Sequence, residues 1–259
     1  MTRHAKELET TMSELVRIVG ISSSPRHGNT EILLREALHA AEQAYPQIST
    51  EFISFKGKVI RPCYDCKVCE WRQSDKLIEQ CILEDDWLEL VRPMVDPVPN
   101  GVIIASPVYF SDVNAVLRAY MERFTALVKP VWFPKLPFKP PDFSRTVGGA
   151  LTVGFHRHGG QETTILSILR FYLIVGMMAG GSYCPEQGPI GYYGGSAWED
   201  AEGQAGREGV RTDRWGLYTA RVVGRKVAHA AIMLAGAPRV PPVGEPLVQH
   251  HGPPLPVVP

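Results

Sequence analysis

The stretch VRIVGI-SSSPRHGNT-EILLREALHAAEQAY, residues 16–45, decides the fold. VRIVGI (16–21) is a compact β-branched run of the kind found in strands buried on both faces. It passes into SSSPRHGNT (22–30), dense in turn formers. In the segment that follows, Ile32, Leu33, Ala37, Leu38 and Ala41 recur at helical spacing, which predicts a helix over about 29–45. A buried strand, a polar loop and an amphipathic helix make the first half of a βαβ unit. The same order repeats downstream. TEFISF (50–55), GVIIASP (101–107) and ALTVGF (150–155) read as strands, and GGSYC (180–184) as a short last one. Helices are predicted over 83–95, 113–128, 162–178 and 213–235. In the first of these, Glu84, Asp85 and Asp86 stand at the start, where the macrodipole favours negative charge. Alternating strands and helices mean right-handed crossovers and a parallel sheet. The fold class is therefore α/β: a doubly wound, five-stranded parallel sheet with helices on both faces and its ligand at the carboxyl ends of the strands.

The chain has 259 residues, 44% of them hydrophobic, enough for a full core. Its 27 basic and 27 acidic side chains cancel. That balance gives no support to nucleic-acid binding, which draws on an excess of Lys and Arg. No apolar run approaches the roughly 18 residues of a membrane span. The opening MTRHAKELETTMSELVR mixes both charges and lacks a signal peptide's apolar stretch, so a cytoplasmic protein is expected. Three parts are expected: a helical extension over 1–15, a domain over 16–236 with a cysteine-rich insertion at 58–82, and a tail over 237–259. The tail holds eight prolines and cannot be helix or central strand.

Three loops leave the carboxyl ends of the strands. In SSSPRHGNT, the hydroxyls of Ser22, Ser23, Ser24 and Thr30 and the amides of the helix start can surround a phosphate. Gly28 allows close backbone approach, Asn29 can cap the helix and Arg26 supplies charge. The loop is neither GxGxxG nor GxxxxGK[ST], so an ordinary dinucleotide or triphosphate loop is not expected. In SPVYFSDVN (106–114), Pro107 stiffens the turn, while Tyr109 and Phe110 offer aromatic faces to a planar ligand or fill a sheet–helix junction. In FHRHGGQET (155–163), Gly159 and Gly160 expose backbone amides, and Gln161 can donate and accept. His156 and His158 read as surface or ligand-contact histidines rather than metal ligands.

Four of the five cysteines lie within nineteen residues. Clustered thiols in a reducing compartment read as a metal site or redox centre. Cys63-Tyr-Asp-Cys66-Lys-Val-Cys69 repeats a two-residue spacing twice, which can set three thiolates at the corners of one cubane, with Cys81 as the fourth. Zinc ribbons usually use two separated pairs, and a redox dithiol needs only two of the four. A [4Fe–4S] cluster, zinc and unligated thiols all stay open at this point. Cys184 is expected to be a buried structural thiol.

SSSPRHGNT, CYDCKVC with the later CILEDDW, ASPVYFSDVNAVLRAYMERF and VGFHRHGGQET occur in that order. Together they make residues 16–184 resemble the flavodoxin-like NADPH-dependent FMN reductase and iron–sulfur flavoprotein family. The resemblance implies noncovalent FMN. Ser22, Ser24, Arg26, Asn29 and Thr30 match the phosphate loop, and Pro107, Val108, Tyr109 and Phe110 match the loop along the isoalloxazine. Gly159, Gly160 and Gln161 match the third loop. Arg118, Glu122 and Arg123 match a Lys and an Asp–Arg pair read as structural. The departure is the gap before the last cysteine, where eleven residues (Glu70 to Gln80) stand in place of roughly four to seven; a longer loop closes at small extra entropic cost. The function expected is an FMN-dependent oxidoreductase passing electrons between FMN and a [4Fe–4S] cluster, with no protein acid or base. The alternatives are an NAD(P)H-dependent FMN or quinone reductase without a cluster, and a flavin-binding sensor. A dimer or tetramer and a ferredoxin-like donor are the partners implied.

Overall fold

The computed structural model describes residues 15–70, 72, 77–128, 140–182, 191–200, 202–203 and 206–240. Nearly all of the expected N-terminal helix, Cys184 and residues 241–259 of the tail lie outside them.

The first βαβ unit forms as its sequence dictates: β1 (Val16–Ser22), α1 (Asn29–Ala44) and β2 (Ile48–Ser54), with β1 and β2 parallel. α2 (Trp87–Val95) leads to β3 (Gly101–Pro107), then α3 (Ala115–Arg123) and the single turn α4 (Thr125–Val128). β4 (Val147–Gly154) and α5 (Gln161–Ile174) follow. The last elements are β5 (Met178–Ala179), β6 (Gly195–Trp198) and α6 (Arg214–Ala235). The sheet order is β2-β1-β3-β4-β5, parallel throughout, and β6 also pairs with β4.

The fifth strand position differs from the expectation. β5 pairs with Val147 and Gly148 at the start of β4, and β6 with Leu151–Gly154 at its end. One strand position is filled by two short pieces, split by residues 180–194. Gly180–Ser182 of the expected GGSYC strand carry no strand structure. GSAW, at four residues, is too short to show a period.

Every residue of β4 is buried, as a central parallel strand requires. One face of the sheet carries α2, α3 and α5, with Trp87, Tyr120, Phe124, Phe171 and Tyr172 in one core. The Tyr172 hydroxyl donates to the Gly149 carbonyl at 2.8 Å and accepts from the Ile104 amide at 3.1 Å, so a buried polar group is satisfied within the sheet. The other face carries α1 and α6, which close over Ile18, Leu33, Leu34, Val223 and Val227. The two layers hold the carboxyl ends of β1, β3 and β4 side by side, and all three candidate loops emerge there.

Candidate functional site

The first loop is sunk into the protein. Ser22 and Ser23 are fully buried, and Ser24, Asn29 and Thr30 nearly so. Ser24 Oγ donates to the Arg26 carbonyl at 2.6 Å and accepts from the Arg26 amide at 3.3 Å, folding the turn back on itself. α1 begins at Asn29, and its first helical bond runs from the Ile32 amide to the Gly28 carbonyl. The amides of Asn29, Thr30 and Glu31 therefore point out of the helix end without helical acceptors, the geometry of an anion site.

Two details of this loop correct the sequence reading. Gly28, not Asn29, occupies the cap position, and no side chain caps the helix. The Asn29 side chain is turned away: it donates to Glu199 Oε2 at 2.8 Å and to the Gly206 carbonyl at 2.5 Å, and accepts from the Val210 amide at 3.1 Å. Glu199, Gly206 and Val210 thus hold the loop from behind. Gly28, at φ 150°, permits this close approach, because a Cβ there would lie 2.5 Å from the Arg207 carbonyl oxygen. Glu199 also stands 3.8 Å from the half-exposed Arg26 guanidinium.

The second and third loops are joined. In the second, the Val108 amide bonds the Val153 carbonyl, and Tyr109 and Asp112 bridge each other. Phe110 and Ser111 take positive φ, at 49° and 61°, and Phe110 is fully exposed, with Tyr109 half exposed beside it. The Thr163 hydroxyl donates to the Ser111 carbonyl at 2.5 Å. Gly160, at φ 105°, lies so close that a Cβ would collide with Ser111 Cα. Gln161 is a brace of the third loop: its oxygen accepts from the Gly159 amide at 2.8 Å and its amide donates to the His156 carbonyl at 2.6 Å. His156 and His158 are exposed.

Asn114 is a position that the sequence reading does not single out. It is buried, its amide donates to the Ser23 carbonyl at 2.7 Å, and its Oδ1 has no partner. An orphaned acceptor between the first two loops, with buried hydroxyls and free helix-start amides, fits a bound phosphate ester and its polyol chain. The exposed rings of Tyr109 and Phe110 fit a flat heterocycle above it.

The four cysteines Cys63, Cys66, Cys69 and Cys81 are in no disulfide, and all of them line one cavity of about 30 Å³, together with Gln80, Leu83 and Arg123. Asp65 and Lys67, between successive cysteines, take φ of 55° and 61°, which coils the CxxCxxC backbone tightly. The long gap before Cys81 is closed by a clasp at the base of the loop. The Arg61 amide donates to Asp85 Oδ2 at 2.8 Å and the Val59 amide to Asp86 Oδ2 at 2.7 Å. Asp85 also accepts from the Trp87 amide at 3.0 Å, where it serves the helix start as its charge suggests. Arg123 completes the clasp, donating to Asp85 at 2.7 Å and to the Arg61 and Leu83 carbonyls at 3.2 and 3.3 Å. Burial pushes the Asp85 carboxyl up, but the Arg61 amide, the Arg123 guanidinium and the Trp87 amide together hold it below the ordinary carboxylate range. Among the described residues, no three His, Cys, Asp or Glu side chains converge closely enough for a single metal ion.

The model of a family described as NADPH-dependent FMN reductase matches residues 16–185. The chain belongs to that family. An iron–sulfur flavoprotein of Methanocaldococcus jannaschii is 38% identical over 221 residues, which cover 85% of this chain and 99% of the relative. One of Archaeoglobus fulgidus is 34% identical over 222 residues, with the same coverage of both chains. The solved structure of RosB with a bound 8-demethyl-8-formylriboflavin-5'-phosphate intermediate superposes with a TM-score of 0.59 at 16% identity, covering 92% of this chain and 98% of that one. That likeness carries the fold. Family membership makes the chain an FMN-binding, flavin-dependent oxidoreductase. No helix among the described residues is long and apolar enough to cross a membrane.

Proposed function

We propose that this protein is an electron-transfer iron–sulfur flavoprotein, with FMN at the joined loops and a [4Fe–4S] cluster held by Cys63, Cys66, Cys69 and Cys81. The observation that carries the reading is the shared cavity: four thiols, one of them separated from the other three by eleven residues, line it because Asp85, Asp86 and Arg123 draw the two ends of the loop together. A tetrahedral zinc site would gather its sulfurs at about 2.3 Å from one ion. A cubane spaces them further apart, because each thiolate caps its own iron. Four thiols on one cavity are a donor set that either centre could use. The names of the relatives, iron–sulfur flavoproteins, favour the cubane over zinc.

Ser22, Ser24, Thr30, Arg26 and the amides from Gly28 onward are assigned to the FMN phosphate, Asn29 through its backbone only. Pro107, Val108, Tyr109 and Phe110 lie along the flavin ring, and Gly159 and Gly160 present amides to it, with Gln161 fixing their direction. The cofactors supply one- and two-electron chemistry; the chain binds them and orients them. A ferredoxin-like protein or NAD(P)H is the proposed donor. A homo-oligomer is the proposed assembly, supported by the exposed Leu173, Ile174 and Tyr192.

Anaerobic purification followed by flavin, iron and sulfide assays tests the reading. One FMN and about four irons and four sulfides per chain are expected, with Cys81→Ser losing the iron and keeping the flavin. Stoichiometric FMN with no iron after anaerobic reconstitution would make this a plain FMN or quinone reductase.

A further inference from the structure

We propose that Arg123 sets the reduction potential of the iron–sulfur cluster, through a buried positive charge at the wall of the cysteine cavity. The inference rests on the cluster reading above. The side chains of Arg123 and Asp85 are 1% and 3% exposed. Of the guanidinium's nitrogens, Nη1 and Nη2 reach Asp85 and the Arg61 and Leu83 carbonyls, but Nε is buried with no partner. The Trp87 ring, 4.8 Å from the guanidinium carbon, keeps water from that side. Arg123 itself lines the cavity that the four thiols share.

A buried N–H with nothing to bond is costly, and such groups in native proteins call for an explanation. A sulfur acceptor in the cavity supplies one here. The charge acts in the same direction. Asp85 balances the charge of Arg123, but of the two residues only Arg123 lines the cavity, so the pair presents its positive end there. The other charged residues on the wall, Asp65 and Lys67, pair with each other at 2.8 Å and are more than half exposed, so solvent screens them. Reduction moves one electron from a one-electron donor onto the cluster, with no bond made or broken, and adds one negative charge beside the buried guanidinium. A fixed cation on the wall, and a bond from its unpaired Nε–H to a cluster sulfur, would both favour that added charge and raise the potential.

The alternative is that Arg123 only ties the loop ends together. Three variants separate the two: Arg123→Met, Arg123→Lys and Asp85→Asn. Each is purified anaerobically and assayed for iron and sulfide, then titrated with dithionite while reduction is followed by electron paramagnetic resonance. Arg123→Met is expected to lower the midpoint by about 59 mV or more, a tenfold weaker hold on the electron. Arg123→Lys, which keeps a charge and loses the fork, should fall less. Asp85→Asn, which leaves the guanidinium uncompensated, should rise. Opposite signs at the two partners support the proposal, since a loosened loop would admit water and move both in one direction. Should Arg123→Met not retain iron, the signs of Arg123→Lys and Asp85→Asn decide. Iron-loaded variants with unchanged midpoints, or midpoints that shift together, overturn the proposal and leave the cluster reading standing. A wild-type protein that takes up no iron overturns both.

Discussion

Asn29 Nδ2 stands 2.8 Å from Glu199 Oε2, so the residue that opens α1 is bonded to the first residue beyond β6. The first loop and the split fifth strand are mechanically one unit through this contact. It explains why the Asn29 side chain lies behind the loop rather than in it.

Asn29→Ala removes three hydrogen bonds and strands the buried amide of Val210. It should destabilise the FMN-free protein by about 2 kcal/mol or more, and weaken FMN binding as the loop relaxes. Thermal unfolding with and without FMN checks this. A variant whose FMN-free form melts like wild type, while its flavin affinity falls, would place the side chain on the ligand instead.

Tyr109 and Phe110 make the opposite case. Their exposure means they contribute little to the fold on their own. Tyr109→Ala and Phe110→Ala should leave the stability of the FMN-free protein within about 0.5 kcal/mol of wild type. Flavin affinity should drop by about tenfold, since ring burial occurs only in the complex. Equilibrium dialysis or flavin fluorescence reads the affinity. A large loss of FMN-free stability would show that the rings pack within the protein.

Gly160→Ala combines a positive-φ penalty with a collision at Ser111. The backbone term alone is about 1–2 kcal/mol. The second and third loops should separate, and flavin retention on gel filtration should fall sharply. Unchanged retention would mean that the two loops need not touch to hold the flavin.

The strand–loop–helix order made the sheet and its carboxyl-end loops legible, because apolar periodicity and turn residues are local signals. What escaped was long-range. GSAW carries no period in four residues, so the two-piece strand could not be read. Asn114 was visible only as a loop residue, and nothing local said that it would face Ser23. The direction of the Asn29 side chain depended on residues far along the chain. Arg123 was matched to an Arg beside a neighbouring acid in α3. Its partner is Asp85, on the far side of the cysteine loop, while Glu122 is exposed. The eleven-residue gap before Cys81 is closed by the clasp of Asp85, Asp86 and Arg123, contacts that no local signal in the sequence announces.

That clasp should show itself in acid. Burial raises the Asp85 pKa, but its amide and guanidinium bonds more than reverse this, so the folded value lies below the unfolded value of about 3.9. A depressed carboxyl contributes stability that is fully present above the unfolded pKa and is lost as pH falls through the folded one. Asp85→Asn removes that contribution and leaves Arg123 buried without its counter-charge, at a cost of about 3–5 kcal/mol near neutral pH. The variant should therefore be less stable at pH 7, yet lose less of its remaining stability between about pH 4 and pH 2 than wild type does. Urea unfolding of the metal-free protein at a series of pH values measures both effects. Equal slopes for the two proteins over that acid range would mean that the Asp85 carboxyl is not held below its ordinary value, and that the loop is closed by Asp86 and the carbonyl bonds of Arg123 without it.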